Sequence, residues 1–162
     1  MKLTEIKDLY SLHSDPSSLK GYADAHEKIP EMAWEKYEND KAELRKREAL
    51  WASDAEYAFM YAWNVLKGPF PAGEKAIASN AEYAYLYAQK VLKGPFPAGE
   101  KAIAMNARYA YYYAEFVLKG PFPAGEKAIA TDADYARWYA SDVLKLDPKS
   151  EKEAQDILKA RL

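Results

Sequence analysis

The chain has 162 residues, of which 49% are hydrophobic, so a single domain with a sizeable core is expected. It has no cysteine, which excludes disulfide bonds and thiolate metal sites, and its formal net charge of −2 favours neither an acidic nor a basic partner. No apolar run approaches the roughly 20 residues of a membrane span. The chain begins with a polar segment, Met1–Glu5, so we expect a cytoplasmic protein without membrane contact.

Residues 1–52 are predicted to form an N-terminal helical cap. Apolar residues recur there with helical spacing, and a highly charged helix is expected to end near Trp51. The polar side of this segment would shield the end of a repeat array. The two histidines, His13 and His26, fall on separate predicted helices without the spacing of metal ligands, so no metal site is expected.

Residues 53–145 contain a tandem repeat with a period of 26 residues. The phrase Lys-Gly-Pro-Phe-Pro-Ala-Gly-Glu-Lys-Ala-Ile-Ala occurs three times without change, at Lys67–Ala78, Lys93–Ala104 and Lys119–Ala130. A fourth unit starts at Ala133 and departs from the pattern after Leu144. A fixed period of this length indicates a stacked array, in which each unit has room for two short helices. We call these the A helix and the B helix of each repeat.

The residues at the expected helix ends support this division. Four residues with good N-cap side chains precede the A helices: Asp54, Asn80, Asn106 and Asp132. Each A helix is expected to end at Lys-Gly-Pro, with the glycine in the left-handed conformation and the proline preventing continuation. The next proline, Pro71 in the first copy, is predicted at the first position of the B helix. Within that helix, Gly73 is expected to permit close backbone approach.

The A helices have one face that is constant between copies and one that varies. On a helical wheel, six positions of the constant face lie together, and in the first copy they are Tyr57, Ala58, Tyr61, Ala62, Val65 and Leu66. We expect this face to form the core between repeats. The opposite face changes from copy to copy and is rich in aromatic residues, so we expect it to be free of the neighbouring repeat.

The variable face is the predicted partner-binding site, because tyrosine and tryptophan are favoured anchors of protein interfaces. Its candidate residues are Phe59, Met60, Trp63, Tyr85, Leu86, Arg108, Tyr111, Tyr112, Phe116, Arg137 and Trp138. Two other interpretations remain open. The N-terminal helices or the B helices would bury this face in one of them, and a second copy of the chain would cover it in the other.

Residues 146–162 are predicted to form a C-terminal capping helix, which starts either at Asp147-Pro148 or at Ser150 with Glu153 as a capping box. The segment Leu144–Ser150 resembles the junction between tetratricopeptide repeats, which implies stacked helix pairs, although the period of 26 residues differs from that family's. The Phe-Pro-x-Gly-Glu and Tyr-Ala-x-x-Tyr-Ala units are similar to repeats of uncharacterised phage-encoded proteins. Identical blocks also suit a designed sequence, but the irregular N-terminal segment favours natural duplication.

These observations predict an all-α solenoid of helix pairs that serves as a non-enzymatic protein-binding module, with no cofactor, metal or catalytic residue. The phage resemblance implies one version, an inhibitor of a host defence protein that acts in the host cytoplasm. A structural homo-oligomer is the first alternative. The second is a nucleic-acid binder that uses the lysine rows and tyrosine stacking, although the glutamates next to the lysines favour solvated lysines instead.

Overall fold

The structure is a computed structural model that describes residues 42, 45, 46 and 48–162. The chain divides into two compact units, Met1–Leu50 and Trp51–Leu162, and the second contains the repeats. The described residues of the first unit are helical. Most of the predicted N-terminal cap, including His13 and His26, lies outside the described residues.

All regular secondary structure in residues 48–162 is helical, which confirms the predicted all-α array of helix pairs. The A helices begin as α1 (Ala55–Met60), α3 (Ala81–Leu86), α5 (Ala107–Tyr112) and α7 (Ala133–Trp138). Each continues directly as a π-helical segment: Tyr61–Leu66, Tyr87–Leu92, Tyr113–Leu118 and Tyr139–Val143. The B helices are α2 (Glu74–Ala78, after a 3-10 turn at Pro71–Gly73), α4 (Pro97–Ile103) and α6 (Pro123–Ile129). The final helix is α8 (Glu151–Lys159).

The helix starts are those that the sequence predicts. The side chains of four N-cap residues accept hydrogen bonds from backbone N–H groups of the first turn: Asp54, Asn80, Asn106 and Asp132. These bonds satisfy donors that have no partner inside the helix. A proline occupies the first position of each B helix in the first three repeats, where its missing N–H costs nothing.

The ends of the A helices differ from the prediction. The left-handed residue is the lysine and not the glycine, since Lys67, Lys93, Lys119 and Lys145 have φ between 54° and 58°. The reason is the π-helical segment, which moves the last hydrogen bonds along the chain. The backbone N–H groups of both Lys67 and Gly68 donate to the carbonyl oxygen of Ala62, so the turn closes around the lysine.

The B-helix glycines lie where the helices of one repeat approach most closely, as predicted. A Cβ atom on Gly99 would lie 2.6 Å from Cδ1 of Phe96 and 2.7 Å from the Cβ of Ala84. These distances are too short for a real side chain, so even alanine would push α4 away from α3. The equivalent glycines of the first and third repeats, Gly73 and Gly125, are crowded in the same way.

A buried tyrosine joins each repeat to the one before it. The hydroxyl of Tyr113 accepts a hydrogen bond of 2.8 Å from the N–H of Phe96 and donates one of 2.9 Å to Oε1 of Glu100. Tyr87 and Tyr139 form the equivalent pair of bonds with the repeats that precede them. These constant tyrosines are fully buried, so the turn that opens each B helix is fixed by the next A helix.

The C-terminal helix α8 packs against α7 as the B helices pack against their A helices. It begins at Ser150, whose hydroxyl accepts a hydrogen bond from the N–H of Glu153, while the Glu153 carboxylate accepts one from the N–H of Lys149. Of the two predicted starts, the chain therefore uses the serine. The domain boundaries at residues 52 and 145 stay predictions.

Candidate functional site

The candidate site is the variable face of the A helices, and the structure divides its predicted residues into two groups. Three aromatic residues that we expected to be exposed are buried: Phe59, Tyr85 and Tyr111 have 3%, 7% and 7% of their surface exposed. The expectation of a free surface is wrong for these residues. The first tyrosine of the following A helix covers each of them, with ring centroids 6.0 Å apart for Phe59 and Tyr83.

The same pairing recurs in the next two junctions. Tyr85 lies 6.1 Å from Tyr109, and Tyr111 lies 6.0 Å from Tyr135, measured between ring centroids. In the fourth repeat the equivalent residue is Arg137, which is exposed. The sequence therefore contained a signal that we missed, because this position is aromatic where another A helix follows and charged where none does.

The remaining predicted apolar residues define a surface that we call the outer face: Met60, Trp63, Leu86, Tyr112, Phe116 and Trp138. Four of them, Met60, Trp63, Phe116 and Trp138, have between 43% and 49% of their surface exposed. Leu86 and Tyr112 are half-buried, and the predicted polar residues Arg108 and Arg137 are exposed. Eight of the predicted site residues thus reach solvent, in all four repeats.

Tyr112 links the buried and exposed aromatic rings of the third repeat. Its ring centroid lies 5.8 Å from that of Tyr85, 5.5 Å from that of Tyr111 and 5.9 Å from that of Phe116. The guanidinium of Arg108 lies 5.6 Å from the same centroid. Since aromatic and cationic neighbours of this kind attract one another, the Tyr112 side chain is held before any partner arrives.

Trp138 is fixed in a similar way in the fourth repeat. Its ring packs edge-on against Tyr135 with 5.2 Å between centroids and lies 6.0 Å from Tyr111. Trp63 stacks on Phe59 at 5.6 Å in the first repeat. An exposed aromatic ring that already has a fixed position loses less conformational entropy on binding, so these rings suit the role of anchors.

A groove of about 360 Å³ runs between the ends of the third and fourth A helices. Three residues that vary between copies line it, Glu115, Phe116 and Asp142, beside constant residues that include Lys119. The Asp142 carboxylate accepts a hydrogen bond of 2.8 Å from the Tyr111 hydroxyl. Burial, and then this carboxylate, raise the pKa of Tyr111 above its ordinary value, so the phenol stays protonated and holds Asp142 in place.

Between residues 48 and 162 no three His, Asp or Glu side chains converge as metal ligands. The groups with raised pKa values are mostly tyrosines, such as Tyr87 and Tyr113, whose hydroxyls already hold the repeats together. The expectation of a non-enzymatic protein without cofactors was made from the sequence and stays a prediction.

No helix in the described part of the chain is long and apolar enough to cross a membrane. The chain matches no protein-family model, no curated protein and no solved structure. The similarity to a tetratricopeptide junction and to phage repeats is therefore unsupported, and what the structure supports is a helical repeat of stacked helix pairs.

Proposed function

We propose that this protein is a binding module that holds a partner protein on the outer face. The observation that carries the proposal is the exposure of apolar side chains at positions that vary between otherwise similar repeats. Met60, Trp63, Phe116 and Trp138 are each more than two fifths exposed. Aromatic residues in such positions are typical anchors of protein interfaces.

Trp63 and Phe116 make their ring contacts within their own A helices, whereas Tyr112 and Trp138 also contact a buried ring of the preceding repeat. The junctions are made by the buried alanines, by the buried variable ring of each of the first three A helices with the tyrosine that covers it, and by the phenylalanine and glutamate that the next buried tyrosine contacts. These residue types recur in each of the first three repeats. A partner accounts for the exposed part of the outer face better than folding does, because the surface that these side chains leave in solvent contributes nothing to the junctions and favours aggregation.

Self-association through the same face is the second candidate. The exposed apolar residues that favour a partner protein favour a second copy equally, so the experiment must separate the two. Inhibition of a host defence protein stays a prediction from the phage resemblance, and nucleic-acid binding stays one from the lysine rows.

Site-specific photo-crosslinking tests the proposal. A photoreactive phenylalanine analogue would replace Trp138 in one variant and Met105 in a matched control, since Met105 is an exposed apolar residue outside the A helices. After irradiation of cells that contain the full chain, we expect Trp138 to crosslink one discrete protein and Met105 to leave it uncaptured. The Trp63→Ser/Phe116→Ser substitutions should abolish the product while the helical circular-dichroism spectrum is kept.

Three other outcomes are informative. A product with twice the mass of the chain would establish self-association in place of a partner. A product that forms equally from Trp138 and Met105 would contradict a specific face. Absence of any product from Trp138, and also from the analogue placed at Phe116, would overturn the proposal and leave the outer face as surface without a partner.

A further inference from the structure

Equivalent positions of successive repeats form rows that cross the A helices. The A helices pack side by side along the array, so residues 26 apart are neighbours. An apolar row contains Met60, Leu86, Tyr112 and Trp138, and a basic row contains Lys67, Lys93, Lys119 and Lys145. Packed helices lie about 8–10 Å apart, so a row of four spans roughly 30 Å.

The polar groups of the face argue against an extended peptide as the occupant. An extended chain presents one unpaired N–H and one C=O group per residue, and each needs a partner when it is covered. Between the two rows, the exposed or half-buried side chains that can both donate and accept are those of Asn64, Gln89 and Ser141. Lys90 can only donate, and the carboxylates of Glu115 and Asp142 can only accept. The described residues also contain no strand whose edge could pair with a peptide. A helix satisfies its own backbone groups and needs no such partners.

The spacing of the apolar row also fits a helix. Residues seven apart on one side of an α-helix are separated by roughly 10 Å, which is close to the distance between neighbouring A helices. A helix that crosses the A helices would therefore place one apolar side chain over each of Met60, Leu86, Tyr112 and Trp138 in turn. This is the recognition mode in which an amphipathic helix lays its apolar side on a surface.

The charges beside the apolar row define one flank of that helix. The basic row follows the π-helical segment of each A helix, and at the last junction one groove is lined by Phe116 of the outer face together with Lys119 and Lys145. Within residues 48–162, Lys67, Lys93 and Lys119 are exposed and form no ion pair. Lys90 adds a fifth positive charge at the second repeat, whereas Glu115 and Asp142 add negative charges at the third and fourth repeats. The positive surface is therefore strongest at the first two repeats.

We infer that the partner presents an amphipathic helix with apolar residues seven apart and acidic residues on the flank that faces the basic row. The inference rests on the proposed function, since it names the kind of partner that the outer face accepts. It follows from the spacing of the apolar row, from the shortage of amides beside it and from the unpaired lysines.

Selection from two display libraries on the full chain tests this inference. One library varies the surface of a single-helix scaffold, and the other contains flexible linear peptides. We expect enriched binders to come from the helical library, with apolar residues seven apart and glutamate or aspartate on one flank. Their affinity should fall at least about tenfold with Phe116→Ser/Trp138→Ser. It should fall roughly threefold or more with Lys67→Gln/Lys93→Gln, and little with Lys75→Gln/Lys101→Gln, which removes two exposed lysines from the B helices.

The outcomes separate this inference from the proposed function. Enrichment of linear peptides that need Phe116 and Trp138 would overturn the helical partner and leave the outer face as a binding surface. Helical binders without acidic residues, or with equal affinity for both lysine variants, would overturn the acidic flank. Enrichment in neither library, or of binders that ignore Phe116 and Trp138, would contradict both proposals.

Discussion

The inner junctions of the array and its last repeat use the same positions in opposite ways. Where another A helix follows, the position after the first buried alanine is Phe59, Tyr85 or Tyr111, and the ring is buried. Where none follows, that position is Arg137, and it faces solvent. The backbone around the position is the same in all four A helices. Whether a side chain belongs to the core is thus decided by the neighbouring repeat and not by the helix that carries it.

The B-helix glutamates show the second difference. In the inner repeats, Glu74 and Glu100 are half-buried and each accepts a hydrogen bond from a tyrosine of the next repeat. In the third repeat, Glu126 is 2% exposed, and the Arg161 guanidinium also donates to both of its carboxylate oxygens at 2.9 Å. The end of the array therefore covers the glutamate more completely and supplies a cation to match its charge.

The largest effect is expected from removing that cation. Arg161→Ala leaves the buried Glu126 carboxylate with the Tyr139 hydroxyl as its remaining side-chain partner within residues 48–162, so the folded state should lose about 2–3 kcal/mol. Urea denaturation monitored by circular dichroism measures the change. Lys159→Ala, an exposed cation of the same helix, should cost less than about 0.5 kcal/mol.

A double substitution shows whether the charge is responsible. Glu126→Gln keeps an acceptor for the Tyr139 hydroxyl but removes the charge, so it should recover part of the stability that Arg161→Ala loses. If the two substitutions instead add without coupling, the ion pair contributes nothing and α8 is held by its apolar contacts alone.

A smaller effect is expected at an inner junction. Tyr113→Phe leaves the buried N–H of Phe96 without its acceptor and should cost about 1–2 kcal/mol at neutral pH. Burial, together with the hydrogen bond to Glu100, raises the pKa of Tyr113 to about 12. Because the folded state favours the neutral phenol, this stabilisation is complete below about pH 10 and is lost as the pH rises through 12.

The measurement is a set of urea denaturations from about pH 8 to about pH 11.5. The difference in unfolding free energy between the wild type and Tyr113→Phe should narrow as the pH rises above 10. Other tyrosines with raised pKa values, such as Tyr87, are present in both proteins and cancel in the difference. A difference that stays constant with pH would show that the Tyr113 hydroxyl does not form the buried hydrogen bonds described above.

Much of this architecture is predictable from the sequence, because local rules determine it. N-cap residues and prolines at the first B-helix position act within a few residues, and crowded glycines such as Gly99 act within one repeat. The π-helical segments were not predicted, since a wheel with 100° per residue assumes an α-helix throughout. The left-handed turn was assigned to Gly68 because glycine favours that conformation at a helix end, but the π-helical hydrogen bonds place it at Lys67.

The candidate site was predicted less well, for a different physical reason. Variation between copies was interpreted as exposure, but Phe59, Tyr85 and Tyr111 vary only among aromatic residues that fill the same space between repeats. The ring that buries each of them lies on the next A helix, as Tyr83 does for Phe59, and the wheel of one helix contains no information about such contacts. The sequence did contain one sign of this burial: at the end of the array, Arg137 occupies the position that is aromatic in the other A helices.

The smallest effect is expected at the left-handed lysines, and it has the opposite sign. A residue with a Cβ atom is strained at φ of 54°, so Lys93→Gly should stabilise the protein by about 0.5–1 kcal/mol. Lys145→Gly should gain less, because the Lys145 ammonium donates a hydrogen bond to the carbonyl oxygen of Asp142. Thermal unfolding of the two variants measures both changes, and equal gains would show that this bond has no effect on stability.

The same Lys93→Gly variant also tests binding to the acidic helical binders expected from the display selection. If the variant is more stable but binds them more weakly, recognition of the partner explains why a strained lysine occupies this position. If it is more stable and binds equally well, Lys93 has no part in binding, and the strained lysine is not explained by recognition.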